Sequence, residues 1–75
     1  MVLEELVAEV LEVDTSALDD TTSPASLDRW DSLAHVVLIT TVEEAYDVIL
    51  TTAEMRQAKS LGELRRILQS KGAEV

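Results

Sequence analysis

Two segments, one near each end of the chain, place apolar residues at helical spacing. The first lies within residues 2–12 and the second within residues 60–70. The apolar positions are Leu3, Leu6, Val7, Val10 and Leu11 in the first segment, and Leu61, Leu64, Ile67 and Leu68 in the second. Residues three and four positions apart share one face of an α-helix, so each stripe predicts an amphipathic helix. Such helices must pack against other elements to bury their apolar faces.

The segment 31–46 is also apolar, but its pattern is mixed. Its centre, VVLITTV, is rich in β-branched residues, which favour strands. Leu38 and Val42, however, begin a four-residue repeat that is typical of a helix. Asp31 and Ser32 are residue types that often begin helices. We therefore predict a helix over 31–46.

Two capping patterns mark the beginnings of further helices. Thr51 and Ser60 are each followed by Glu three residues later, the arrangement of a capping box. The first pattern predicts a short helix over 51–58, and the second begins the helix over 60–70. Gly72 is expected to end that last helix.

The segment 14–30 is rich in Asp, Ser and Thr and contains the single Pro of the chain, so it predicts a long loop. Leu18, Leu27 and Trp30 are expected to hold this loop against the helices. The prediction is an all-α bundle with three main helices, one short helix and a long first loop. Its expected core residues are Leu6, Val10, Leu38, Val42 and Leu64.

The composition of the chain limits the classes of function that it can have. The 75 residues carry a net charge of −9 and no Cys. The charge argues against binding of nucleic acid or an anionic membrane and suits partners with basic patches. The absence of Cys excludes disulfides and a thiol nucleophile. Because no run of eighteen apolar residues and no signal pattern occurs, a cytoplasmic protein is expected.

The charges are unevenly distributed along the chain. Residues 1–55 hold thirteen of the fifteen acidic residues and only one basic residue, Arg29. Residues 56–75 hold the other five basic residues, which are expected to balance charge across the bundle. These residues are Arg56, Lys59, Arg65, Arg66 and Lys71.

The tripeptide Asp31-Ser32-Leu33 lies at the start of the predicted second helix. A hydroxyl at this position is expected to be exposed beside free backbone N–H groups, which favour an attached phosphate. For the tripeptide alone, a helix-capping role of Asp31 or Ser32 is the simpler interpretation. In its setting after a long loop in a small acidic chain, it resembles the phosphopantetheine attachment motif of the acyl carrier protein family. The later parts of the resemblance are Val42-Glu43-Glu44-Ala45-Tyr46 and Ser60-Leu61-Gly62-Glu63-Leu64.

The resemblance extends from Leu3 to Leu68 and implies a carrier rather than an enzyme. It implies one acyl carrier domain over 1–75 with 4′-phosphopantetheine attached to Ser32, between Asp31 and Leu33. A phosphopantetheinyl transferase would attach the arm and would supply the Mg²⁺ and the base. The arm would carry acyl or aminoacyl groups as thioesters in a polyketide, modified-malonyl, aminoacyl or fatty-acid pathway.

The second helix departs from the family pattern just after the motif. The family often has acidic residues there, whereas this chain has Ala34, His35 and Val37. We expect acyl-loading and acyl-consuming enzymes to dock through basic or apolar patches on one face of this helix. That face is formed by Leu33, Val37, Thr40, Glu43 and Glu44. The form Trp-Asp-Ser-Leu-Ala-His resembles that of discrete carriers of specialised pathways. A monomer is expected.

Other interpretations of these residues are weaker. A Ser32–His35–Asp31 triad would crowd three groups into one helical turn with no oxyanion pocket, so His35 is expected to face solvent. The acidic residues Asp14, Asp19 and Asp20 lack the order of a Ca²⁺-binding loop, so no metal site is predicted. Trp30 is expected to pack on the bundle rather than to anchor a partner. A small helical interaction module and an unmodified carrier-like protein remain open, and the Ser32 hydroxyl distinguishes both from a carrier.

Overall fold

The computed structural model describes residues 2–75. Within them the chain forms four α-helices. These are α1 (Leu3–Leu11), α2 (Ser32–Tyr46), α3 (Thr52–Gln57) and α4 (Leu61–Ser70). A short 3₁₀ helix, Thr15–Ala17, lies in the long connection between α1 and α2. No strand occurs in residues 2–75, so the predicted all-α bundle is confirmed, including the helix over the β-branched segment.

The core consists mainly of aliphatic side chains from α1, α2 and α4. Its buried residues are Leu3, Leu6, Val7, Leu11, Trp30, Leu38, Ile39, Val42, Leu50, Ala58, Leu61, Leu64 and Leu68. Four of the five expected core residues are among them, while Val10 is only partly buried. Burial of Leu38, Ile39 and Val42 explains why α2 is helical, because a strand would place neighbours such as Leu38 and Ile39 on opposite faces.

The long connection between α1 and α2 is fixed to the start of α4. The backbone N–H of Leu61 donates to the carbonyl of Thr22 at 2.9 Å, and that of Gly62 donates to the carbonyl of Asp20 at 3.0 Å. A Cβ atom on Gly62 would lie 3.0 Å from the same Asp20 carbonyl oxygen, so a glycine permits this close approach. As predicted, Leu18 and Leu27 pack against the core.

The helix ends agree with the predicted caps, with one difference. Thr51 and Glu54 form a complete capping box at α3. At α4, Ser60 Oγ accepts from the backbone N–H of Glu63, but the Glu63 carboxylate pairs with Arg66. Gly72 follows α4 with a φ of +90°, the left-handed conformation that ends helices.

Three of the five basic residues in the last quarter of the chain balance charge as predicted. Arg65 pairs with Glu4 and Asp20, Arg66 pairs with Glu63, and Lys71 pairs with Glu54. The prediction is wrong for Arg56 and Lys59, which form no ion pair within residues 2–75. No helix in the described part of the chain is long and apolar enough to span a membrane.

Candidate functional site

Asp31 and Ser32 have different roles at the start of α2. Asp31 is the N-cap residue, and its Oδ1 accepts the backbone N–H of Ala34 at 2.8 Å. Ser32 is the first residue of the helix and is exposed. Its hydroxyl forms no hydrogen bond with any residue between 2 and 75. The capping interpretation therefore applies to Asp31 and leaves the Ser32 hydroxyl available for chemistry.

The first turn of α2 provides a favourable environment for an anion. The first N–H groups of any α-helix lack acceptors within the helix, and Asp31 satisfies only that of Ala34. The positive end of the helix dipole lies at the same place. These backbone donors would stabilise a phosphodiester attached at this position.

An open groove of about 800 Å³ lies beside Ser32, between α2, α3 and the loop before α2. Ser32 itself lines this groove. The other lining residues are Ser23, Pro24, Ala25, Trp30, Asp31, His35, Val36, Ile39, Thr52, Met55, Arg56, Ala58 and Lys59. The volume is within the range of ligand-binding sites, so the groove has room for a small organic group.

Trp30, His35 and Met55 form a hydrogen-bonded link across the groove. The Trp30 indole N–H donates to His35 Nδ1 at 2.9 Å, and His35 Nε2 lies 2.9 Å from the Met55 carbonyl oxygen. The two rings stack with centroids 6.0 Å apart. Trp30 is 1% exposed, which confirms that it packs on the bundle. The prediction that His35 faces solvent is wrong, because this link holds the side chain partly buried between α2 and α3.

The link also determines what His35 can do chemically. Because Nδ1 accepts from Trp30, Nε2 must carry the proton that it donates to the Met55 carbonyl. Both ring nitrogens are thus occupied, and neither is free to take a proton from Ser32. The geometry supports no Ser32–His35–Asp31 triad, since Asp31 is also committed to capping α2.

The position of α3, which forms one wall of the groove, depends on Glu54. Its carboxylate accepts the backbone N–H of Thr51 at 2.8 Å and pairs with Lys71 Nζ at 2.8 Å, just beyond α4. The hydrogen bond from Lys71 is the main cause that lowers the pKa of Glu54, and the bond from Thr51 lowers it further. Charge-assisted contacts of this kind hold α3 against the end of α4.

The predicted docking residues differ in exposure. Leu33 is 75% exposed and Val37 is 47% exposed. Thr40 and Glu44 are also exposed. Val36, which sequence reasoning did not include, is 61% exposed and continues the apolar surface between Leu33 and Val37.

Glu43 differs from the other predicted docking residues. Its side chain is partly buried, and its Oε2 accepts the backbone N–H of Leu50 at 2.8 Å. This bond fixes the segment that joins α2 to α3. Glu43 therefore has a structural role that the acidic pair alone did not indicate, whereas Glu44 remains exposed.

Sequence reasoning missed the contribution of α3 to the site. Met55, Arg56 and Lys59 all line the groove beside Ser32. The three-residue spacing of Arg56 and Lys59 was a signal for a shared side of the chain. Their proximity to Ser32, however, depends on how α3 packs against α2. Within residues 2–75, no group of three His, Cys, Asp or Glu residues is placed to hold a metal ion.

Comparisons with known proteins agree with this geometry. The family model of the phosphopantetheine attachment site matches residues 2–68. Among solved structures, that of holo acyl carrier protein from Geobacter metallireducens is similar, with a TM-score of 0.83 and 30% sequence identity. The match covers 92% of this chain and 79% of that chain. A search of curated proteins gave no match. The chain thus belongs to the acyl carrier protein family, whose members are carriers with a covalent 4′-phosphopantetheine rather than enzymes.

Proposed function

We propose that Ser32 Oγ is the attachment point of 4′-phosphopantetheine. The observation that supports this assignment is the exposed Ser32 hydroxyl, which has no hydrogen bond within residues 2–75 because Asp31 caps α2 instead. The arm supplies a terminal thiol that binds acyl or aminoacyl groups as thioesters. The protein carries them for a biosynthetic pathway of the polyketide, modified-malonyl, aminoacyl or fatty-acid type.

Attachment requires a base and a donor that come from outside the chain. In this step Ser32 Oγ bonds to phosphorus, and the pyrophosphate bond of coenzyme A breaks, releasing adenosine 3′,5′-bisphosphate. The Ser32 proton passes to a base of the phosphopantetheinyl transferase, since both nitrogens of His35 are occupied. The chain itself presents the hydroxyl and stabilises the attached phosphate with the first-turn N–H groups of α2.

The test is intact mass spectrometry after incubation with coenzyme A, Mg²⁺ and a broad-specificity phosphopantetheinyl transferase. The parent protein should gain the mass of one phosphopantetheine, and the Ser32→Ala variant should gain none. A folded parent that gains no mass, beside a control carrier that does, would favour the interaction module or the unmodified carrier. Gain in both proteins would place the arm on another residue.

We propose that the partner enzymes dock on the outer face of α2, through Leu33, Val37, Thr40 and Glu44. The carboxylate of Glu43, the fifth predicted docking residue, is instead bonded to the Leu50 N–H. Exposed apolar side chains next to Ser32 and an exposed carboxylate at Glu44 support this assignment. Partners would therefore present an apolar patch near Ser32 and a basic patch further along the helix. The transferase and the enzymes that load and consume the acyl group would share this surface.

Charge reversal tests the ionic part of this surface. Glu44→Lys should lower kcat/KM for transferase loading several-fold at low salt and less at high salt, because salt screens exposed charges. Glu5→Lys, on α1, is the matched control with the same change in net charge. Glu43→Lys should also reduce stability, since it removes the acceptor of the Leu50 N–H. Equal loading rates for Glu44→Lys and the control would show that Glu44 lies outside the docking surface.

A further inference from the structure

The basic residues of the chain fall into two groups. Four of the six pair with carboxylates. These four are Arg29, Arg65, Arg66 and Lys71. The other two, Arg56 and Lys59, form no ion pair within residues 2–75 and are exposed. Both unpaired cations line the groove that contains Ser32.

The groove therefore has a charge character opposite to that of the protein. The chain carries fifteen acidic residues and a net charge of −9, yet the only acidic residue that lines the groove is Asp31. Its carboxylate already accepts the N–H of Ala34. Two cations without carboxylate partners thus lie beside Ser32, on the α3 side, and can bind an anion.

The rest of the groove is mostly apolar. Val36 and Met55 contribute accessible hydrophobic surface, and His35 has both nitrogens occupied by protein partners. A ligand that satisfies both parts of the lining has a short hydrocarbon portion and a negatively charged end. A phosphate alone would satisfy the cations but would leave the apolar part of an 800 Å³ groove unfilled.

We infer that the groove receives the acyl group carried by the arm, and that Arg56 and Lys59 select acyl groups that bear a free carboxylate. This inference rests on the proposed attachment at Ser32 and names the cargo class as the half-thioester of a dicarboxylic acid. The hydrocarbon part packs on Val36 and Met55, while the carboxylate pairs with the two cations. Neutral acyl groups of equal length lack that pairing and dock less.

The experiment compares two arms that differ in the carboxylate. Succinyl-coenzyme A and butyryl-coenzyme A serve as donors for the transferase, and intact mass confirms each product before any further measurement. Trp30 is the only Trp, so its indole N–H gives a single ¹H–¹⁵N signal that reports on the groove. We expect the succinyl arm to shift this signal more than the butyryl arm, and the excess to decrease with added salt.

Two double variants test whether the larger shift with the succinyl arm depends on Arg56 and Lys59. In Arg56→Gln/Lys59→Gln the docked population of the succinyl arm should fall by roughly two- to 25-fold, since each of the two exposed ion pairs contributes a factor of about 1.4 to 5. The double variant Arg29→Gln/Arg66→Gln changes net charge equally and should retain the excess, because neither residue lines the groove.

The outcomes separate this inference from the proposed function. Equal shifts for both arms would overturn the inference and would indicate that the cations bind the phosphate or no part of the arm. An excess that survives in Arg56→Gln/Lys59→Gln would overturn it as well. Both results would leave attachment at Ser32 intact. Failure of the mass gain at the first step would instead overturn the proposed function, and the inference with it.

Discussion

The starts of α2 and α4 both contain a serine, but the two serines have different uses. At α4, Ser60 is the N-cap residue, and its hydroxyl accepts the N–H of Glu63 at 3.1 Å. At α2, Asp31 is the N-cap residue, and the Ser32 hydroxyl forms no hydrogen bond within residues 2–75. A serine at a helix start is therefore structural when it is the cap. It is available for modification when another residue caps the helix.

The same two helices differ in how they use apolar residues. α4 buries Leu61, Leu64 and Leu68, and its remaining large apolar residue, Ile67, is partly buried against the core. α2 has fifteen residues but buries only three, and it exposes Leu33, Val36 and Val37. Exposed apolar side chains grouped on one face typically mark an interaction surface. The apolar residues of α4 thus stabilise the fold, whereas some apolar residues of α2 are exposed and can contact partners.

The largest predicted effect separates these two uses. Leu64→Ala should lower the free energy of unfolding by about 2–5 kcal/mol, because it leaves a cavity in the core. Leu33→Ala should change it by no more than about 0.5 kcal/mol, since the side chain is exposed. Urea denaturation of both variants measures the difference. Comparable destabilisation would mean that Leu33 contributes to the fold as Leu64 does.

A smaller effect is expected at the link between α2 and α3. His35→Ala should lower the free energy of unfolding by about 1–3 kcal/mol, because it leaves the Trp30 N–H and the Met55 carbonyl without their partner. Trp30→Phe removes the donor to His35 Nδ1 and also opens space in the core, so it should destabilise at least as much as His35→Ala. Denaturation monitored by far-UV circular dichroism reports both. A His35→Ala variant as stable as the parent would contradict the link.

Removal of the hydroxyl should destabilise the protein more at Ser60 than at Ser32. Ser60→Ala should cost about 1 kcal/mol of stability, the usual effect of losing an N-cap. Ser32→Ala should cost less than about 0.5 kcal/mol, because Asp31 still caps α2. Thermal or urea unfolding of the two variants is the measurement. If Ser32→Ala were the more destabilised, Ser32 would have a structural role in α2.

The smallest predicted effect concerns acid stability through Glu4. Its pKa is lowered mainly by a backbone hydrogen bond and further by Arg65, which outweigh the opposing effect of burial. A lowered folded-state pKa stabilises the fold above the ordinary value of 4.5, and this contribution is lost as the pH falls through the folded-state pKa. Glu4→Gln should therefore cost up to about 1 kcal/mol near neutral pH.

The pH profile is the decisive readout for Glu4. The stability difference between the parent and Glu4→Gln should shrink as the pH falls below 4.5. Glu9→Gln, an exposed change on the same helix, controls for the altered net charge. A difference that stays constant between neutral pH and pH 3 would show that the charge of Glu4 contributes nothing.

Much of the fold could be predicted because its determinants are local. Residues only a few positions apart determine each of these features: the apolar stripes of α1 and α4, the capping pattern at Thr51 and the helix end at Gly72. The candidate site at Ser32 could be predicted from the tripeptide and its setting. The assignment of capping to Asp31 rather than to Ser32 required the actual geometry of the first turn.

The remaining features depend on contacts between distant parts of the chain. His35 and Met55 are twenty residues apart, so their bond depends on how α3 packs against α2. The sequence presented Glu43 as a surface carboxylate. Its bond to Leu50 could not be predicted, because it depends on how the connection after α2 folds back. For the same reason, the sequence showed Arg56 as a cation within a basic segment but not beside Ser32.

The most direct test of the account is the position of the arm after transferase loading. Trypsin cleaves after Lys and Arg, so it should release Trp30–Arg56, in which Ser32 is the only serine, separately from Ser60–Arg65. Tandem mass spectrometry of the loaded protein should find the phosphopantetheine mass on Ser32 within the first peptide and none on Ser60. An arm on Ser60, or on any other residue, would contradict the claim that the free hydroxyl at the start of α2 is the attachment site.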